Sequence, residues 1–316
     1  MSLLEARDLN ISFPTPHGLF RAVNGIDLTL ERGEIFGLVG ETGCGKTVTG
    51  LALLGLVPSP GQVTASELSL DGLDLLSSRN WQDVRGRRIA MIFQDPAASI
   101  NPTFTIGQQL SHVIRHHLHL DSVATHRRAV ELLNDVGLSD ADHILRTYPH
   151  QLSGGMQQRA MIALALASGA ELLIADEPTT ALDVTIQAQI LRLLKSLRDK
   201  HNLTILLITH DLGVVAQTCD RVAVLYAGSV AETSSVGQLF RTTKHPYTQG
   251  LLGAIPRPGS RGKPLLAIEG SVPSGINPIV GCPFAARCPS VMKQCQTDKP
   301  VLKAVEDDHI VACHLY

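Results

Sequence analysis

Apolar and polar residues alternate over the first thirty positions. Leu9, Ile11 and Phe13 form one such run, and Ile26, Leu28 and Leu30 another. Period two marks half-buried strands, antiparallel where one face meets solvent. Glu34–Gly40 (E-I-F-G-L-V-G) breaks the alternation. It is a near-continuous apolar run ending in glycine, as expected of a central strand buried on both faces. Similar runs recur at Ile89–Phe93, Leu172–Ala175, Thr204–Thr209 and Val222–Tyr226. Helical spacings lie between them. The clearest is Thr185–Lys200, where Ile186, Ile190, Leu193, Leu194 and Leu197 share a stripe. Buried strands alternating with helices predict an α/β fold with a mainly parallel sheet covered by helices. From Phe104 to Leu152 the spacing is helical without strands, as at Ala129–Val136, which predicts an inserted helical subdomain.

The composition shifts after about Glu232. Pro246, Pro256, Pro258, Pro264, Pro273, Pro278, Pro283, Pro289 and Pro300 crowd the remainder, and four of the six cysteines fall in its last 35 positions. A second, loop-rich module is expected there. Over all 316 residues, 44% are apolar and 18% charged, enough for a packed core and too apolar for general disorder. A formal charge of −2 argues against nucleic-acid binding by bulk charge. Six cysteines are too few for a disulfide scaffold. The N-terminus is charged from Glu5 onward and has no apolar stretch of signal-peptide length. No apolar run reaches the roughly 18 residues that span a bilayer. The longest, Met161–Ala175, is interrupted by Ser168, Gly169 and Glu171. A soluble, cytoplasmic chain able to dock on a membrane protein is expected.

Two segments carry phosphate chemistry. Gly40, Glu41, Thr42, Gly43, Cys44, Gly45, Lys46 and Thr47 read G-E-T-G-C-G-K-T, after a buried strand and before a helix. Glycines let the backbone curl so that successive N–H groups face phosphate oxygens, and the helix N-terminus adds its dipole. Lys46 is then expected to reach the β- and γ-phosphates of ATP, and Thr47 to ligate Mg²⁺. Cys44, beside Lys46 at a helix N-terminus, is expected to have a lowered thiol pKa. Cys219 reads as a small apolar residue. The second segment, L-L-I-A-D-E at Leu172–Glu177, delivers Asp176 to the carboxyl end of an apolar strand, where it can hold Mg²⁺. Glu177, one residue on, can polarise a water aimed at the γ-phosphate.

A third segment, Leu152–Arg159, reads L-S-G-G-M-Q-Q-R. With the first two it makes the sequence resemble the ATP-binding subunits of ABC transporters, whose signature motif this is, with Met156 in place of the commonest glutamine. The residues agree: Ser153, Gly154 and Gly155 open a helix and can offer a hydroxyl and bare N–H groups to a γ-phosphate. The resemblance implies that they do so across a dimer interface, to nucleotide held by the second subunit. It implies that Gln94 touches Mg²⁺ and the attacking water and faces the transmembrane partner. Ala181, Leu182 and Asp183 match the loop that crosses the dimer interface. His210, after the strand Thr204–Thr209, matches the switch histidine at the γ-phosphate. Phe13 matches the aromatic stacked on adenine. From the strand pattern alone it is equally a core residue, and Phe20 lies nearby. The implied fold is a P-loop NTPase of ABC type: a mainly parallel sheet, an N-terminal antiparallel β subdomain, and an inserted helical subdomain at about 96–168. The nucleotide-binding domain would be 1–232 and the extension 233–316, with Thr47, Gln94 and Asp176 as Mg²⁺ ligands.

Cys282, Cys288, Cys295 and Cys313 have five and six residues between the first three, too wide for a usual zinc knuckle. In a cytoplasmic protein they suit metal ligation better than disulfides. The stretch resembles the C-terminal extension of the oligopeptide/dipeptide branch of ABC ATPases, as do Ser271-Val272-Pro273 and His245-Pro246-Tyr247-Thr248. That resemblance implies a [4Fe-4S] cluster in some members; Zn²⁺ and metal-free thiols stay open, with His314 an alternative ligand. A structural role remote from ATP chemistry is expected for this tail. The resemblance implies an importer ATPase for peptides or similar solutes, peripheral on the cytoplasmic face of the inner membrane. Its partners would be a second ATPase subunit, often a paralogue, two permeases and a solute-binding protein. Nickel complexes and antimicrobial peptides are alternative cargoes. A soluble non-transport ABC ATPase would carry two motor domains, or coiled coils between phosphate loop and signature, where only about a hundred residues lie.

Overall fold

The computed structural model describes residues 2–77, 81–180, 182–255, 268–276 and 279–316. The chain forms two compact units. One comprises Met1–Glu31, Phe36–Ser78 and Ile208–Tyr316, the other Arg32–Ile35 and Arg79–Leu207.

In the first unit the alternating N-terminal residues form a long antiparallel hairpin, Ser2–Thr15 against Gly18–Glu31, with Phe13 opposite Phe20. Leu9, Ile11, Ile26, Leu28 and Leu30 are all buried, as period two requires. Glu67–Leu70 and Gln62–Thr64 add to Ser2–Thr15, again antiparallel. The apolar run becomes the strand Ile35–Gly40, buried at every residue and paired in parallel with Arg221–Tyr226. On the far side of Arg221–Tyr226, Ser229–Ser235 pairs antiparallel.

The tail is more ordered than its prolines suggest. His309–Val311 pairs antiparallel with Ser229–Ser235, and Lys303–Glu306 pairs with His309–Val311. Tyr247 and Phe284 join Val39, Leu212, Val224, Tyr226 and Leu239 in one apolar cluster. The tail therefore shares the unit's core. Pro256, Pro258, Pro264 and Pro278 lie outside the described residues.

In the second unit Ile89–Ile92 runs parallel to Leu172–Asp176, with Ile89 opposite Leu172. Between these strands lie the helices Pro96–Ser99, Ile106–Leu118, Ser122–Asp135, Ala141–Arg146 and Gly154–Leu166. Ile106–Leu118 starts at a reciprocal cap of Thr105 and Gln108 and buries Ile106, Leu110 and Ile114, one face at a four-residue spacing. The predicted Thr185–Lys200 helix is Val184–His201. It begins at Asp183, whose carboxylate accepts from the amides of Thr185 and Ile186, and ends at Asn202 in left-handed conformation. No helix among the described residues is long and apolar enough to cross a membrane.

Glu232 fastens the tail. Its side chain is fully buried and accepts from Lys244 N at 2.8 Å, from His245 N at 3.1 Å and, at 2.7 Å, pairs with the buried His309 ring. Beside it, His245 caps the helix Pro246–Gly253, its Nδ1 accepting the Tyr247 amide at 3.0 Å. That bond requires an unprotonated nitrogen. Burial holds the His245 pKa down to about 4, against the opposing pull of Glu232. Above pH 6.5 the ring is neutral in both folded and unfolded chains, so nothing is lost. Below it, the unfolded chain takes up a proton that the folded chain refuses. Stability should fall as pH drops from 6.5 to about 4 by about 3 kcal/mol from this residue. Asparagine can cap without titrating, so His245→Asn should remove most of that loss. Urea unfolding of both proteins at pH 7.5 and pH 4.5 measures it, and equal acid losses would exclude His245 as the source.

Candidate functional site

The candidate phosphate loop, residues 40–47, belongs to the first unit, and backbone crowding sets its shape. A β-carbon on Gly40 would sit 2.2 Å from Leu225 O, and one on Gly45 2.5 Å from Ala22 O. Gly45 has φ +102° and Gly43 φ +83°, and no atom lies within 4 Å of where a Gly43 β-carbon would be. The loop thus has a closed back and an open front. Lys46 is buried at the start of the helix Lys46–Leu53, and its Nζ donates to Gly40 O at 2.8 Å and Glu41 O at 3.0 Å. Thr47, next along, is exposed.

Residues far along the chain hold the loop from behind. Glu41 N donates to the Tyr247 hydroxyl at 3.0 Å. Arg287, between Cys282 and Cys288 in sequence, donates to Glu41 Oε2 at 2.9 Å and to the Tyr226 hydroxyl at 3.2 Å. Burial alone would lower the Arg287 pKa, but these partners outweigh it and hold the guanidinium above its ordinary range. The extension, expected to be remote from ATP chemistry, thus touches the candidate phosphate loop at Glu41. Thr180, Tyr226, Tyr247 and Arg287 were not anticipated as site residues, although H-P-Y-T and the A-R-C segment stood out as motifs.

The acidic residues lie in the second unit. Asp176 ends the buried strand and is 3% exposed. Glu177 follows with φ +46°, a strained position for a non-glycine residue of the kind that collects at functional sites. Its carboxylate accepts from Gln94 Nε2 at 3.1 Å and Thr180 Oγ1 at 2.8 Å. Gln94 itself is exposed, one residue before the Asp95 cap of Pro96–Ser99. The signature segment opens the helix Gly154–Leu166, with Ser153 exposed at the N-cap and making no capping bond. Gly154 has nothing within 4 Å of its β-carbon position, while Ile186 crowds that of Gly155 at 3.1 Å. Met156 is half-buried. Asp183 is a helix cap, and Ala181 lies outside the described residues.

In the first unit, His210 is exposed after the strand Thr204–Thr209, where Asp211 turns away to cap Leu212–Thr218. Phe13 is half-buried, its ring edge 2.5 Å from the β-carbon position of Gly61. Phe20 packs instead on Gly275 of the extension.

The donors suit their proposed ligands. Hydroxyl, carboxylate and amide oxygens match the hard-oxygen preference of Mg²⁺, and a glycine loop leading into a helix matches a phosphate. The family described as ABC transporter matches residues 23–180, and that described as the oligopeptide/dipeptide transporter C-terminal region matches residues 231–295. The chain is 47% identical to the oligopeptide transport ATP-binding protein AppD of Bacillus subtilis, across 100% of this chain and 97% of that one. It is 44% identical to the dipeptide transport ATP-binding protein DppD of Escherichia coli, across 99% and 97%. This chain is an ABC transporter ATP-binding subunit. Among solved structures it is similar to CbiO1 of Clostridium perfringens, with a TM-score of 0.65, 27% identity, and 76% and 91% of the two chains covered. It is also similar to a dimeric post-hydrolysis cassette, MJ0796, bound to ADP and Pi, with a TM-score of 0.62, 25% identity and 74% and 98% covered. The fold is that of the ABC ATPases, and the activity is Mg²⁺-dependent ATP hydrolysis.

One cysteine of this ABC ATPase, Cys44, departs from expectation. Cys44 is 1% exposed, and burial raises its pKa despite Lys46 Nζ at 3.8 Å. The helix dipole and the lysine charge are outweighed by desolvation. Cys219 is half-buried over Gly37, as a small apolar residue would be. The four tail cysteines form no disulfide. Burial, then the neighbouring Cys295, Cys313 and Cys288, push the Cys282 pKa up to about 11, and Cys282 N donates to Cys295 O at 2.8 Å. Yet among the described residues no three His, Cys, Asp or Glu side chains are arranged to hold a metal ion. His314 is spent on Asp298 O at 2.8 Å.

Burial gives Cys44 the opposite reactivity to the one its chain neighbours suggest. Maleimide labelling of Cys44 in the native protein at pH 7.5 should be at least about tenfold slower than for the same residue in urea, since the thiolate is the nucleophile and burial disfavours it. Mass-spectrometric time courses resolve it, and equal rates would return Cys44 to the reactive class.

Proposed function

We propose that this ATPase energises uptake of di- or oligopeptides through a membrane transporter. The observation that carries the reading is the match along nearly the whole chain to peptide-transport ATP-binding proteins, the C-terminal region included. The chain would sit peripherally on the cytoplasmic face of the inner membrane with two permeases, a solute-binding protein and a second ATPase subunit. Residues 1–232 would form the motor, with its helical subdomain at about 96–168, and 233–316 the extension. Loss of labelled-peptide uptake on deleting this chain, and its recovery on restoring it, is the expected result in cells carrying the other components.

In the hydrolytic step, the amides of 40–47 and Lys46 take the β- and γ-phosphate charge, and Phe13 stacks on the base. Mg²⁺, held by Thr47, Gln94 and Asp176, would neutralise phosphate oxygens. Glu177 accepts a proton from the attacking water. Gln94 and Thr180 support this role, because their bonds fix its carboxylate. His210 steadies the γ-phosphate, while Ser153, Gly154, Gly155 and Met156 serve the nucleotide of the second subunit and Asp183 the dimer interface. Almost all of the catalysis is positioning and charge neutralisation. Glu177→Gln preserves the shape and the bond from Gln94 but removes the base. It should bind ATP normally, hydrolyse it about a hundredfold or more slowly, and accumulate as an ATP-bound dimer. Size-exclusion chromatography and phosphate release report the two effects, and turnover like that of the parent would remove Glu177 from the role.

The finer reading of the tail is that Cys282, Cys288, Cys295 and Cys313 act as one thiolate set for a [4Fe-4S] cluster or Zn²⁺. Its support is that Cys282 N donates to Cys295 O at 2.8 Å and that, after burial, Cys295, Cys313 and Cys288 all raise the Cys282 pKa. Iron and sulfide, or zinc, at about one site per chain in anaerobically prepared protein is the expected result of elemental analysis. Four titratable thiols with neither metal would end the reading.

A further inference from the structure

We propose that Arg287 is a positioning residue for ATP binding: from the C-terminal extension it neutralises Glu41 and holds the phosphate loop open for nucleotide. The proposal rests on 40–47 being the nucleotide loop and assigns part of its affinity to a side chain outside the motor motifs.

Glu41 is an awkward residue where it stands. It lies next to Gly40 in a loop whose purpose is to receive a polyanion, and a bare carboxylate there repels phosphate. The Arg287 guanidinium meets it at 2.9 Å, with its own side chain only 6% exposed. Three further donors of Arg287 are committed: Nη1 also to the Tyr226 hydroxyl, Nη2 to Ile268 O at 3.1 Å and Nε to Glu269 O at 2.9 Å. A planar group tied on several sides has little freedom to swing away. Tyr247 holds the same residue by its amide.

Lys46 bears on the same residue. Its ammonium donates to Gly40 O and Glu41 O. When it turns to a phosphate, those carbonyls lose a donor and the loop loses an internal tie. Arg287 and Tyr247 grip Glu41 from outside the loop and are unaffected by that turn. The extension thus keeps the cradle in shape when the loop's own lysine is engaged elsewhere.

The test is equilibrium binding of a fluorescent ATP analogue to the full-length chain, with steady-state ATPase of the assembled transporter. Arg287→Met should raise Kd and KM for Mg–ATP about tenfold with kcat within about twofold, the scale of losing one partner of a desolvated charge pair. Arg287→Lys, which restores the charge without the fork, should recover part of the affinity, and it carries the test if the methionine variant does not fold. Glu41→Gln removes the repulsive charge, so adding Arg287→Met to it should cost less than about threefold. Additive effects in the double variant, or a lowered melting temperature with unchanged Kd, would overturn the proposal and leave Arg287 a structural residue. Lys46→Ala should abolish binding. If binding survives that change, the loop assignment fails first, a result distinct from additivity at Arg287.

Discussion

Two backbone carbonyls decide what the glycine-rich loop of residues 40–47 can be. Leu225 O and Ala22 O stand where the β-carbons of Gly40 and Gly45 would project, so the loop is pressed against neighbouring backbone and has one free side. Everything around it serves that close approach. The Ala227-Gly228 turn takes left-handed backbone at both residues, and Gly228 N donates to Cys44 O at 3.1 Å. The N-terminal hairpin supplies Ala22, and the strand Arg221–Tyr226 supplies Leu225. An anion site made of backbone amides is only as good as the stiffness of its backing.

The extension adds to that backing through acidic residues. Glu232 gathers the amides of Lys244 and His245 and the ring of His309, and Glu41 gathers Tyr247 and Arg287. Tyr226, Tyr247 and Phe284 pack between these two points, with ring centroids 4.6 to 5.4 Å apart. The aromatic packing keeps water from the polar contacts, which strengthens them. The tail is thereby a part of the first unit rather than an appendage to it.

The central strands were legible because a strand buried on both faces has little place for a polar residue, so Ile35–Gly40 and the four residues between Thr204 and Thr209 show as apolar runs. The half-site around Asp176 and Glu177 was legible for the same reason, since a strand end announces where its last carboxylate stands. Arg287 was not, because its partner Glu41 is 246 positions away and the pairing leaves no local pattern. Cys44 was misjudged because its chain neighbours, Lys46 and the helix start, are visible in sequence while the turn that covers it is not. The hairpin of Lys303–Glu306 and His309–Val311 turns at Asp307-Asp308 and was hidden by the surrounding proline density, although short alternating runs flank the turn.

That small hairpin also settles a problem of association. Without His309–Val311, the strand Ser229–Ser235 would present unpaired amides and carbonyls beside Val230 and Ala231, both nearly buried. An exposed apolar edge of this kind recruits strands from other molecules. The hairpin closes it with a final strand that is short and carries Lys303 and Glu306, charges that discourage further growth. The hairpin therefore blunts that edge, and removing it would uncover backbone of Ser229–Ser235 open to strand addition.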